Sequence, residues 1–197
     1  MLNRYMKSLG YNDKEIEKIK NAYVFRHYSE ESLYNKVSDI FNYLLMYGYN
    51  DNEIIKISIT FPTIYAFSIT SIQKRFDDMI ELGYTKEEII KMTKKMPSLF
   101  GRNIDDIRIK KRFYDQLNIG DIIIKDPIHF SQSIELSFAR YLFYHRIGIK
   151  IDRGNANMLF MKQDLFINKF GKTNKQLMVL YNYQEYLEKR RIKLKNK

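Results

Sequence analysis

The strongest constraint in this chain is a pair of matching punctuation marks. Gly48-Tyr-Asn-Asp-Asn-Glu-Ile-Ile is followed by Phe61-Pro62, and Gly83-Tyr-Thr-Lys-Glu-Glu-Ile-Ile by Met96-Pro97. Glycine to glycine and proline to proline, the spacing is 35 residues, and each proline stands 14 residues after its glycine. A fixed period of this length is the signature of a repeat architecture, in which a unit that cannot bury its apolar face alone buries it against its neighbours.

The interior of the unit reads as two helices. Two residues after each glycine comes a capping residue with a glutamate three further on: Asn50 with Glu53, and Thr85 with Glu88. Asn12 with Glu15 repeats the arrangement after Gly10. Such a capping box satisfies two orphan backbone donors at once, while the glycine supplies the left-handed residue that ends the preceding helix. Ile16 and Ile19, Ile54 and Ile57, and Ile89 and Met92 then share one face of a short helix. Pro62 and Pro97 end these helices; Val24 stands where the first copy should have its proline. After each proline an aromatic follows at the third position and a Ser or Asn cap at the sixth: Tyr65 and Ser68, Phe100 and Asn103, Phe130 and Ser133. That cap, or Ser29 in the first copy, opens a longer helix.

The longer helices end alike. Counted back from Gly48 and Gly83, an apolar stripe recurs at −11, −7 and −4: Val37, Phe41 and Leu44, then Ile72, Phe76 and Met79. Phe41, Phe76, Phe113 and Tyr141 share position −7 and read as packing between repeats. Only seven residues separate Gly120 from Pro127, so the short helix there is expected to shrink to a turn. Beyond Gly148 the pattern fades. Residues 152–157 read as a loop, 158–170 as helical, Gly171-Lys-Thr-Asn174 as a break, and 175–191 as one long final helix. The expectation is an all-α, right- or left-handed superhelical solenoid of about four to five helix-pair repeats, with repeats over 1–150 and a helical cap with a basic tail over 151–197.

The best-formed unit, Ile80-Glu-Leu-Gly83-Tyr-Thr-Lys-Glu-Glu-Ile-Ile-Lys-Met-Thr-Lys-Lys-Met-Pro97-Ser-Leu-Phe100, resembles the mitochondrial transcription termination factor (mTERF) family repeat: a leucine-rich helix ending in Leu-Gly, a capped acidic short helix, then Pro-x-Leu-aromatic. The resemblance covers roughly residues 8–150. It implies an all-α superhelix with a basic concave path that binds nucleic acid. It hands over no individual functional residue, because the shared signature is structural.

Charge points the same way. The formal net charge of +11 is uneven: residues 1–100 hold 14 Lys/Arg and 13 Asp/Glu, residues 101–197 hold 20 and 10. A basic half points to a polyanionic partner, since phosphate contacts supply affinity without a particular sequence; solubility is the alternative, against which the confinement to one half argues. Arg75, Arg112 and Arg140 each stand eight residues before a glycine, a register that would draw a line of guanidinium groups suited to a phosphate backbone. Taken singly, each reads first as a stem laid over the core; taken as a line, they read as phosphate contacts. Arg102, Arg108, Lys110 and Lys111 crowd the third long helix, and Arg146, Lys150 and Arg153 the end of the fourth, beside His145. Lys189, Arg190 and Arg191 open a basic tail. All are candidate nucleic-acid contacts.

Chemistry at a catalytic site finds little support. The chain has no cysteine, which excludes disulfides, thiolate metal sites and a cysteine nucleophile. His27, His129 and His145 lack metal-ligand spacing. Gly171-Lys172-Thr173 echoes a phosphate-binding loop, but Phe166 stands where that loop needs glycine. No enzyme activity, cofactor or membrane span is expected, nor a signal or transit peptide; the expected compartment is cytoplasmic. The expected function is non-enzymatic nucleic-acid binding, with regulation of transcription as its setting. A protein-interaction solenoid without nucleic-acid contact is the alternative.

Overall fold

A computed structural model describes residues 1–188; the basic run at Lys189, Arg190 and Arg191 lies outside the described residues. Among the described residues there is helix and no strand. The chain forms two compact units, Met1–Asp106 and Ile107–Lys197.

The first unit contains α1 (Leu2–Ser8), α2 (Asp13–Lys20), α3 (Glu30–Tyr47), α4 (Asp51–Thr60), α5 (Ile69–Glu81) and α6 (Lys86–Lys95). 3-10 turns at Tyr23–Phe25, Pro62–Ala66 and Pro97–Gly101 separate the pairs. The local chemistry works as read. Asn12, Asn50 and Thr85 each form a full capping box with Glu15, Glu53 and Glu88. Gly48 ends α3 at φ 116°, and Gly83 follows α5 at φ 90°, values a side chain resists. Ser29 and Ser68 cap α3 and α5.

A second device joins neighbouring repeats in this unit. The tyrosines after Gly10 and Gly48 reach the short helix of the next repeat. Tyr11 Oη lies 2.7 Å from Ser58 Oγ, and Tyr49 Oη lies 2.6 Å from Thr93 Oγ1, with Ser58 and Thr93 fully buried. Ser58 and Thr93 each stand ten residues after their own repeat's glycine. Tyr11 also meets Tyr65 Oη at 2.5 Å, tying in the post-proline turn. These polar pairs satisfy groups that would be costly to bury alone, and they fix the stagger of one repeat on the next.

The second unit holds α7 (Ile104–Gln116, the unit boundary falling in its first turn), α8 (Gly120–Lys125), α9 (Ile134–Arg146), α10 (Gln163–Phe170) and α11 (Asn174–Leu180), with 3-10 turns at Pro127–Ser131 and Ala156–Phe160. Four expectations change here. First, the left-handed residue after α7 is Asn118, at φ 56°, while Gly120 has no positive φ and begins α8. Counted from Asn118, Ile107 and Tyr114 fall at −11 and −4, matching buried Ile72 and Met79. Phe113 therefore leaves the −7 register, and Lys111 takes that place. Second, the shortened helix between Asn118 and Pro127 is a real six-residue helix, α8, rather than a turn. Third, residues 158–170 are split between a 3-10 turn and α10.

Fourth, the stretch at Gly171 is no mere break. Gly171 is left-handed (φ 66°) and Thr173 makes a capping box with Gln176, the same hand-over as at Gly10, Gly48 and Gly83. The final helix stops at Tyr181, whose φ −127°, ψ 71° match Phe61, Met96 and Asp126 before their prolines. A new helical stretch covers 183–188. The repeat grammar thus continues past residue 150, with glutamine in place of glutamate and no proline to announce the stop.

Candidate nucleic-acid interface

Three of the four long helices carry a cation at one register, where α3 has Ile40, and the structure turns it inward. Position −8 is Arg75 in α5, Lys110 in α7 and Arg140 in α9. Each donates to a carbonyl in the following 3-10 turn. Arg75 Nε donates to Phe100 O at 3.4 Å, Lys110 Nζ to Phe130 O at 2.7 Å, and Arg140 Nη1 to Leu159 O at 2.8 Å. The acceptor is always the fourth residue of its turn, the site of the post-proline aromatic in the first two cases. A charged donor is a strong partner for a carbonyl left over by a tight turn.

Arg140 is the most deeply committed, at 1% exposure. Its Nη2 donates to Asn174 Oδ1 at 2.9 Å, and its guanidinium lies 4.9 Å from the centre of the Phe166 ring. No carboxylate pairs with it among the described residues. Burial pushes its pKa down, as it does for half-buried Arg75, yet arginine stays cationic. The expected line of Arg75, Arg112 and Arg140 is therefore corrected. Arg112 lies outside the register, and Arg140 turns away from the surface. Lys110, expected in the exposed cluster, is 2% exposed. For Arg112 and Lys110 the physical reason is the left-handed asparagine, which moves the register by two residues; Arg140 keeps its register and is held inward by Leu159 O and Asn174 Oδ1.

The remaining candidates divide by unit. Arg102, in the first unit, is half-buried and pairs with Asp106 at 3.2 Å. In the second unit Arg108 is half-buried, Lys111 pairs with Asp115 at 2.6 Å, and Arg112 is exposed. Arg146 and Lys150 are exposed at and beyond the end of α9. Arg153 is exposed, donates from Nε to Asn118 O at 3.2 Å, and stands 3.6 Å from Asp121. That contact, with the groove lined by Leu117, Asn118, Lys150, Ile151 and Arg153, places the end of α7 beside the loop after α9.

The sequence reading missed a further basic surface. Lys162, Lys169, Lys172 and Lys175 are all exposed, and none forms an ion pair among the described residues. The signal was available: four lysines in a stretch of 14 residues, with Asp164 as the one acid. Between the units the contrast is complete. Residues 1–106 hold 15 Lys/Arg and 15 Asp/Glu, while residues 107–197 hold 19 and 8.

Among the described residues no group of His, Asp and Glu could hold a metal ion. His129 is stacked flat on Phe160, 3.7 Å between ring centres, and burial pushes its pKa down against the opposing pull of Asp126. Among the described residues no helix is long and apolar enough to cross a membrane.

Two-helix repeats, left-handed hand-overs and inward-turned cations define an all-α helical-repeat protein. The mTERF family model matches residues 4–167, most of the chain, and the protein belongs to the mTERF family. That family consists of helical-repeat proteins that bind nucleic acid and are generally non-enzymatic. Among curated proteins, none matches this chain in sequence.

Proposed function

We propose that the protein binds the phosphate backbone of nucleic acid through its second unit, with Arg112, Arg146, Lys150 and Arg153 as contacts and Lys162 and Lys169 extending the surface. Regulation of transcription is the setting in which we place it. One observation carries the reading: the whole net charge belongs to residues 107–197, where bases outnumber acids 19 to 8, whereas the first unit is neutral. Half-buried Arg75 and buried Lys110 and Arg140 hold the repeats together and leave phosphate contact to the exposed residues.

The test is a titration of duplex DNA and duplex RNA at about 50 and about 200 mM salt. Affinity falls steeply with salt, with a slope of about −0.9 per duplex DNA phosphate contacted. The double substitution R146E/K150E weakens binding at low salt and flattens the slope. K56E/K91E, at exposed lysines of the first unit, leaves both unchanged. No binding at the lower salt, or equal losses from the two double variants, overturns the reading.

A further inference from the structure

The last repeat exposes a position that earlier repeats bury. In every capping-box helix the residue four after the cap is in the core: Ile16, Ile54, Ile89 and Leu177 are at most 1% exposed. The residue seven after the cap is equally buried in the first three, with Ile19 at 0%, Ile57 at 1% and Met92 at 0%. Its counterpart in α11, Leu180, is 57% exposed, and the neighbouring Val179 is 74% exposed.

The cause lies in the segment that succeeds each short helix. After Phe61 and Met96 the chain makes a 3-10 turn that packs back on the short helix and buries Tyr65 or Phe100. After Tyr181 the backbone leaves with the same dihedral angles but enters the helical stretch at 183. Tyr183 and Tyr186 of that stretch pack on Phe138 of α9, at 5.1 and 4.7 Å between ring centres. What remains is a groove of about 460 Å³ lined by Lys172, Thr173, Lys175, Gln176, Val179 and Leu180.

We propose that this groove docks a short amphipathic helix of a partner protein, one that presents an aliphatic or aromatic anchor to Val179 and Leu180 and acidic residues to Lys172 and Lys175. The apolar floor calls for the anchor that the post-proline aromatic supplies elsewhere in the chain. The rim sets the charge: two exposed lysines that form no ion pair among the described residues, and no carboxylate among the lining residues. A phosphate backbone would match the rim but leave the floor uncovered. A symmetric pair of chains would set Lys172 and Lys175 against their own copies in a unit already strongly basic.

The probe is a fluorescein-labelled amphipathic peptide of about four helical turns, with Leu and Phe on one face and Glu along its borders, titrated against the full chain. A control peptide carries Lys in place of Glu. The acidic peptide binds at least about tenfold more tightly than the control, and Val179→Ser with Leu180→Ser weakens it by about tenfold or more. Lys172→Glu with Lys175→Glu reverses the preference toward the basic peptide. Duplex DNA and RNA affinity stays unchanged in V179S/L180S, which separates this surface from the phosphate contacts. Because both apolar side chains are exposed, the serine variants keep the parent's thermal unfolding. Equal binding of the two peptides, or binding indifferent to V179S/L180S, overturns the proposal. So does a concentration-dependent dimer in sedimentation that V179S/L180S dissolves, which would assign the face to a second copy. Loss of duplex affinity in K172E/K175E without peptide binding would give the face to nucleic acid and overturn it equally.

Discussion

The two compact units are built from the same unit of sequence and differ in what they do with charge. In residues 1–106 the acids and bases cancel, and several bases are held by named carboxylates, such as Lys74 by Asp78 and Lys94 by Glu53. In residues 107–197 the bases outnumber the acids 19 to 8, and Arg112, Arg146, Lys150, Lys162, Lys172 and Lys175 are exposed without an ion pair among the described residues. Yet both units turn a cation inward at the same place for the same purpose, half-buried Arg75 in one and buried Lys110 and Arg140 in the other. The difference teaches that basic residues in a helical repeat serve two separate ends. At −8 the cation is a mechanical part that holds a turn. Elsewhere in the second unit it is surface available to a partner.

The sharpest way to break that division is to exchange the two kinds of cation. Arg140→Met removes the donor to Leu159 O and Asn174 Oδ1, so unfolding in urea is expected to lose about 3 kcal/mol. Arg112→Met, at an exposed site, stays within about 0.5 kcal/mol of the parent and instead weakens duplex binding. Equal stability effects from the two would dissolve the distinction.

A smaller effect tests the register behind it. Asn118→Ala forces a β-carbon-bearing residue without a local polar side chain into the left-handed region, and is expected to cost about 1 kcal/mol, while Asn118→Gly costs nothing measurable. If Asn118→Gly proves as costly as Asn118→Ala, the register counted from Asn118 is wrong.

Comparable in size is Tyr49→Phe, in the first unit. It deletes the hydroxyl that meets Thr93 but leaves Thr93 bonded to Ile89 O, so about 1 kcal/mol is expected in a thermal or urea melt. Tyr11→Phe should cost more, because that hydroxyl serves both Ser58 and Tyr65.

The smallest expected effect is a pH dependence confined to the second unit. The His129 pKa is depressed by burial, so the unfolded chain takes up the proton more readily than the folded one. Stability from this group is present above the ordinary imidazole range and is lost as pH falls from about 6.5 toward the depressed value. His129→Phe should flatten that part of the stability profile, measured as urea midpoint against pH. A profile that is unchanged by the substitution would show that His129 contributes nothing to it.

Much of the fold was legible because its signals are local. A capping box needs residues three apart, a left-handed glycine needs only its own missing β-carbon, and an apolar stripe needs one helix. Asn12, Asn50 and Thr85 were readable for that reason, as were Ser29, Ser68 and Ser133. The misreadings arose where another residue type can do the same local job. Asn118 adopts the conformation expected of Gly120, and Thr173 with Gln176 makes the box expected of a glutamate. The candidate site was less legible still. Arg112 and Arg140 look identical in sequence, eight residues before a glycine, and one is exposed while the other is 1% exposed.

By itself, the sequence determined the repeat, its capping chemistry, its family and the concentration of positive charge toward the C-terminal half, because each depends on neighbours along the chain or on composition alone. Tertiary structure decided which cations are structural and which are free to meet a partner. It also decided which apolar side chains of the last repeat go uncovered. Burial is set by residues distant in sequence: Arg140 is enclosed by Leu159, Phe166 and Asn174, whereas Leu180 stays exposed while Tyr183 and Tyr186, which follow it, pack on Phe138.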